Sequence, residues 1–338
     1  MFLILQAILN RPGSLLHGFF DCLPPKPVVM PPMASFTKNI VDLVGNTPLI
    51  KLNRLTEDLP DNVQVFLKAE WLNPGGSVKD RAARGIVLDG LQRGLLKPGG
   101  ILLDASSGNT GIAYAMLAAT LDFKLLLCLP RNANEERKKT LVGYGAELVL
   151  TDPNDGSDGA IVEAQRLSAL HPEYYYADQY GNDANWKAHY ETTGPEILKQ
   201  TDGKITHFVA GLGTSGTCMG VGRFLRDNAP EAKVLSFEPD SPFHGLEGMK
   251  HMETAIVPPI YDTNVAHENR TCRTEDAYDR VRTLGRQEGL FVGISAGAAT
   301  HIALQTAHAE AAAGRAATIV ALCPDGGNRY LSERFWNE

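Results

Sequence analysis

Residues 207–228, HFVAGLGTSGTCMGVGRFLRDN, read as a short apolar strand, a glycine-rich turn and an amphipathic helix in immediate succession. The expected strand is 207–210, the turn 211–216 and the helix 217–228. A helix start leaves backbone N–H groups unpaired, and the helix dipole favours negative charge there. A strand, glycine turn and helix in series therefore offer a seat for a phosphate or carboxylate.

The same alternation extends outward through the chain. Further strands are expected at 63–67, 101–104, 124–129, 147–150, 234–237 and 318–322, and helices at 79–93, 110–121, 134–144, 159–170, 275–288 and 296–313. This order implies an α/β protein of doubly wound domains with mainly parallel sheets. Two more turns follow strands or open helices in the same way: Ser106-Ser107-Gly108-Asn109-Thr110-Gly111 and Gly293-Ile294-Ser295-Ala296-Gly297. A fourth, Asn73-Pro74-Gly75-Gly76-Ser77, precedes Val78-Lys79-Asp80-Arg81.

Composition narrows the function. The 338 residues include 33 glycines, an excess without a repeat. Net charge is −7, from 32 Lys+Arg against 39 Asp+Glu, which argues against nucleic acid as a partner. Cys22, Cys128, Cys218, Cys272 and Cys323 are odd in number and widely spaced, which fits a reduced, cytoplasmic setting. No His or Cys pattern has metal-ligand spacing, and no metal is expected. No apolar run approaches the roughly 18–20 residues of a membrane span. Residues 1–35, apolar then proline-rich, lack a leading positive charge and read as a loosely attached or disordered extension rather than a signal peptide.

The turn Gly211–Gly216 is a literal GxGxxG between strand and helix, with Glu238 near the end of the next strand, which fits a dinucleotide. Two features favour a compact phosphate monoester instead. Thr217 adds a hydroxyl to the amides, and Lys79, at a helix start after a Gly-Gly-Ser turn, has the chemistry to bond a carbonyl cofactor and then act as a base.

Taken together, Asn73 through Arg81, Ser106 through Gly111 and Gly213-Thr214-Ser215-Gly216-Thr217 resemble the cysteine synthase family of fold-type II pyridoxal-phosphate enzymes, the fold shared with tryptophan synthase β. Gly45-Asn46-Thr47-Pro48-Leu49, Thr193-Gly194-Pro195-Glu196-Ile197, Gly293 through Gly297 and Arg329-Tyr330-Leu331-Ser332 extend the likeness over residues 36–335.

The resemblance implies two doubly wound domains. Residues 36–75 and 183–338 would form a larger cofactor-phosphate domain, and 76–182 a smaller mobile domain carrying a substrate-carboxylate loop. It implies that Lys79 bonds pyridoxal 5'-phosphate and that Gly213, Thr214, Ser215, Gly216 and Thr217 wrap its phosphate. Asn109 would meet the ring hydroxyl oxygen and Ser295 the ring nitrogen. Ser106, Ser107, Gly108, Thr110 and Gln179 would hold the substrate carboxylate. A hydroxyl at Ser295 does not enforce a protonated ring, which favours β-elimination over transamination.

The implied reaction is β-replacement. An activated serine, O-acetylserine or O-phosphoserine, loses its β-substituent to give an α-aminoacrylate, and sulfide or thiosulfate adds to yield L-cysteine. Cystathionine β-synthase, using serine and homocysteine, is the alternative. The partners implied are these small molecules and a second copy of the chain, as a homodimer.

His189-Tyr190, Thr206-His207-Phe208-Val209 and Gly222-Arg223-Phe224-Leu225-Arg226 look most like the B isozyme of O-acetylserine sulfhydrylase and its O-phosphoserine-using relatives. In Gly248-Met249-Lys250-His251, the basic pair is either an anion seat at the active-site entrance or part of an ordinary solvated loop. Ser106, Ser215 and Ala296 depart from the residues usual in the family, and segment 243–248 finds no match.

Overall fold

The computed structural model describes residues 39–106 and 108–337. The extension expected over residues 1–35, with Cys22, and the candidate Ser107 lie outside the described residues. The strands are β1 (Leu49–Lys51), β2 (Val63–Ala69), β3 (Ile101–Ala105), β4 (Lys124–Pro130), β5 (Glu147–Thr151), β6 (Tyr175–Tyr176), β7 (His207–Gly211), β8 (Lys233–Pro239), β9 (Glu268–Cys272) and β10 (Ala317–Cys323). They form two sheets, one of order β1-β2-β10-β7-β8-β9 and one of order β5-β4-β3-β6. Every pairing is parallel except β1 with β2. The expected α/β, mainly parallel architecture is what the chain adopts.

The helices are α1 (Lys79–Gln92), α2 (Asn109–Leu121), α3 (Glu135–Gly143), α4 (Gly156–Leu170), α5 (Asp183–Ala188), α6 (Gly194–Gln200), α7 (Gly216–Asn228), α8 (Thr274–Thr283) and α9 (Ile294–Ala312). Strand β10 shows why its sequence is apolar without alternation. Ile319 and Ala321 enter the core beneath α8 and α9 with Val281 and Ile302, while Val320 and Leu322 enter the core beneath α7 with Phe208 and Met219. A strand covered on both faces has no solvent side to mark with polar residues. The smaller sheet repeats the pattern: Leu102 and Leu127 pack with Ile86 of α1 and Ala113 of α2, while Leu103 and Cys128 pack with Ala160 and Ala164 of α4.

Sequence reading missed three short strands and a helical stretch. β1 and β6 have only three and two residues, and β9 is a polar edge strand, Glu268-Asn269-Arg270-Thr271-Cys272. From Asp183 to Gln200 the chain stays helical through α5, a π-turn at His189–Thr193 and α6. Gly194 and Pro195 look like breakers there, but both are helical, Pro195 as the second residue of α6 directly after the π-turn. The helix expected at 275–288 is α8 followed by a π-turn at Leu284–Glu288. Among the described residues, no helix is long and apolar enough to cross a membrane.

Candidate active site

Four helices begin at one cavity of about 290 Å³. Lys79 opens α1, Asn109 and Thr110 open α2, Thr217 is the second residue of α7, and Ser295 is the second residue of α9; all five line the cavity. The segment beyond β10 places two of these starts. Asp325 bridges Ser77 and Gly326 bridges Val292. Val78 N–H donates to the Pro324 carbonyl at 2.8 Å, and Gly293 N–H to that of Asp325 at 2.9 Å. Lys79 and Ser295, distant in sequence, are thereby fixed to the end of a single strand.

The Lys79 amine is enclosed, and burial pulls it below the usual lysine range against the opposing charge of Asp325. Among the described residues no side chain or carbonyl hydrogen-bonds its Nζ. An enclosed amine with a lowered pKa has a larger neutral, nucleophilic fraction at neutral pH than a surface lysine.

At the other end, Gly213, Thr214 and Thr217 line the cavity. No described acceptor meets the N–H groups of Gly213, Thr214, Ser215 or Thr217. Ser215 and Gly216 lie behind this wall. Ser215 takes a left-handed conformation, φ +66°, that turns the chain into α7. A methyl at Gly213 would strike the Gly248 carbonyl oxygen, and one at Gly216 the Asn185 side chain, so both glycines permit close backbone approach. Behind Thr217, His189 Nε2 lies 3.2 Å from its hydroxyl while Nδ1 pairs with Thr193 at 2.9 Å. Burial, with the Arg81 and Lys79 charges, pushes this imidazole well below its ordinary pKa and keeps it neutral.

The third wall is the loop ahead of α2. Ser106 Oγ accepts from Gly108 N–H at 3.3 Å and Gly111 N–H at 3.1 Å, so it caps the loop. Thr110 donates to Gln179 Oε1 at 2.7 Å, and Gln179 Nε2 donates to the Ala105 carbonyl at 2.6 Å. Asn109 is held from both sides: its Nδ2 donates to Asp325 Oδ2 at 2.7 Å and its Oδ1 accepts from Arg329 at 2.6 Å. Tyr330 also donates to that Asp325 oxygen at 2.7 Å, while Asp325 Oδ1 is buried without a partner.

The structure thus brings Lys79, Ser106, Gly108, Asn109, Thr110, Gln179, Gly213, Thr214, Thr217 and Ser295 around one space. It separates the basic pair. Lys250 lines the cavity, 3.1 Å from Asp158, whereas His251 bonds Thr254 at 3.0 Å. Glu238, the acidic end of the dinucleotide pattern, accepts from Met252 N–H at 3.1 Å and is spent on a loop. Sequence reading missed Asp325, Arg137, Glu247 and Asn185, and took Arg329 and His189 only as parts of family-like motifs without a role in the site. Of the four missed, only Asp325 carried a local signal, a polar residue just past the carboxyl end of a central parallel strand.

The donor set fits pyridoxal 5'-phosphate. Unpaired amides and two threonine hydroxyls suit a phosphate, and the lone amine suits an aldehyde.

A family model described as pyridoxal-phosphate dependent enzyme matches residues 40–325. The chain is 48% identical over 309 residues to a cysteine synthase of Aquifex aeolicus, covering 91% of this chain and 94% of that one. It is 41% identical over 296 residues to cysteine synthase B of Escherichia coli, covering 87% and 95%. The solved structure of a cysteine synthase from Entamoeba histolytica superposes with a TM-score of 0.86 at 32% identity, covering 93% and 94%.

Proposed function

The chain belongs to the pyridoxal-phosphate dependent enzyme family, and from that premise we propose that it is a cysteine synthase, forming L-cysteine by β-replacement on an activated serine with sulfide or thiosulfate. The observation that carries this reading is the enclosed, unpaired Lys79 amine sharing a cavity with the free amides of the α7 turn. When bound, pyridoxal 5'-phosphate supplies a carbonyl for an amine to join and a ring that draws electrons from the substrate α-carbon.

The chain's own residues do the rest. Lys79 would hold the cofactor through its amine and, as a free amine, would take the proton from the substrate α-carbon. Gly213, Thr214, Ser215, Gly216 and Thr217 would hold the phosphate. Asn109, fixed by Asp325 and Arg329, would hold the ring hydroxyl oxygen, and the Ser295 hydroxyl would be the partner of the ring nitrogen. Ser106, Ser107, Gly108, Thr110 and Gln179 hold the substrate carboxylate. Residues 76–182 close over it as a mobile domain and exclude water from the reacting β-carbon. Two such chains form a homodimer in the cytoplasm, a state that light scattering on the purified protein checks.

The purified protein is expected to show a visible cofactor band that changes on adding O-acetylserine and returns, with L-cysteine formed, on adding sulfide. Lys79→Ala is expected to lose turnover by about a thousandfold or more. The reading fails if there is no cofactor band, if Lys79→Ala turns over normally, or if serine with homocysteine is the only productive pair.

A further inference from the structure

Asp80, the second residue of α1, has no part in this chemistry and yet is wholly buried next to Lys79. An acidic residue in the first turn of a helix ordinarily accepts from the helix's own free amides or faces water. Asp80 instead turns back on the Gly-Gly turn that leads into α1. Among the described residues its carboxylate accepts one hydrogen bond, to Oδ2 from Gly75 N–H at 2.5 Å, and its Oδ1 is buried without a partner. Burial, aided by the Glu70 charge, pushes the carboxyl up to about 7 against the Gly75 hydrogen bond and the Arg329 and Arg81 charges. A carboxylate desolvated for a single hydrogen bond is a poor stabiliser of a fold.

What Asp80 holds is Gly75. Asn73 fixes the start of the turn separately, donating to Glu70 Oε2 at 2.7 Å and accepting from Gly45 N–H at 2.8 Å. Gly75 is gripped from both sides, its N–H by Asp80 and its carbonyl by Arg329 Nη2. The fit has no slack: a Cβ at Gly75 would stand 2.5 Å from Asp80 Oδ1, and one at Gly76 2.8 Å from Arg329 Nη2. The other prong of Arg329, Nη1, donates to Asn109 Oδ1 at 2.6 Å. A guanidinium can only donate, so Arg329 decides which end of that amide is oxygen. Asn109 Nδ2 then has one hydrogen on Asp325 and one left for a ligand in the cavity that Asn109 lines.

We infer that Asp80 is a positioning residue for the cofactor ring, acting through Gly75 and Arg329 to set the Asn109 amide with its NH2 group toward the ring hydroxyl oxygen. The inference rests on the reading of Asn109 as the partner of that oxygen. Loss of the carboxylate frees Gly75, loosens the Nη2 prong of Arg329 and lets the Asn109 amide turn.

The test reads cofactor binding without turnover. Full-length holoenzyme is dialysed to equilibrium against graded concentrations of pyridoxal 5'-phosphate, and bound cofactor is read from its visible band. Asp80→Ala is expected to weaken binding about tenfold. Asp80→Asn, which keeps an acceptor for Gly75 N–H, is expected to bind within about threefold of the wild type. In an Asn109→Ala background, Asp80→Ala is expected to add less than about twofold, because no amide is left to position.

A merely structural role would cost the same factor in both backgrounds, and that result overturns the inference. So does unchanged binding in Asp80→Ala or in Asn109→Ala, or an Asp80→Asn variant no better than Asp80→Ala. If Asp80→Ala does not fold, Asp80→Ser replaces it in the same cycle with the same expected factors. A wild-type protein with no cofactor band sinks the pyridoxal-phosphate reading and the inference together; a normal band with equal losses in the two backgrounds sinks the inference alone.

Discussion

Gly216→Ala tests the construction of the α7 turn directly. A methyl there would lie 2.5 Å from Asn185 Cγ and nearer still to its Oδ1, where unstrained carbon contacts need about 3.5–4.0 Å. Asn185 is 1% exposed and cannot swing freely. Its Nδ2 donates to the Gln179 carbonyl at 2.7 Å and to Thr214 Oγ1 at 3.1 Å. Either α7 shifts by about 1 Å, which as overpacking costs about 1–3 kcal/mol, or Asn185 moves and leaves buried polar groups unpaired at about 1–3 kcal/mol.

A net loss of about 1–3 kcal/mol is expected, seen as a fall of about 2–6 °C in the melting temperature of the apoenzyme. Weaker cofactor binding should accompany it, because Thr214 loses its support. The decisive assay is a double-mutant cycle. Asn185→Ala removes the obstacle, so the double variant should be little worse than Asn185→Ala alone. Single costs that add to within about 0.5 kcal/mol would refute the clash.

The half-buried Glu196 carboxylate accepts from Arg81 through both oxygens at 2.7 Å and from Lys68 at 2.7 Å. Burial alone would raise its pKa, but the Arg81 and Lys68 hydrogen bonds and charges hold it at about 2, against 4.5 for the free group. Its contribution, about 3 kcal/mol, is therefore complete above pH 4.5 and is lost as the pH falls toward 2. Glu196→Gln should destabilise the protein in urea at pH 7 and much less at pH 3; an equal effect at both would contradict this. His189→Leu should weaken cofactor affinity about tenfold through Thr217, equally at pH 6 and pH 8, because the histidine stays neutral; affinity following a protonation in that range would count against it. Asp325→Asn removes the charge that raises the Lys79 pKa, so the rate at which apoenzyme regains cofactor should reach its plateau at lower pH than in the wild type. A shift toward higher pH would show that Asp325 acts otherwise.

Legibility in the sequence followed length and locality. The seven strands and seven helices read from periodicity were long or doubly covered, so their own residues carried the signal. β6 and β9 gained their form from neighbours, and the π-turn at His189–Thr193 depends on side chains from α7 that no local pattern announces. In the site, the turns at 106–111 and 211–217 were readable because glycine and hydroxyl residues at a helix start have a local purpose. Arg137 and Glu247 were not, since an arginine in an amphipathic helix and a glutamate in a loop look solvated until folding sets them against each other.

By itself the sequence determined the parallel α/β architecture and the anion-ready turns, and it singled out Lys79 as a candidate. Each depends on residues adjacent in the chain, where backbone sterics and unpaired helix-start amides act at short range. Tertiary structure alone decided which turns share a cavity, that Asp325 clasps Asn109 beside Lys79, and that Lys250 and His251 part company. Those outcomes depend on strand order and on desolvation, which arise only when segments as far apart as Lys79 and Asp325 are packed together.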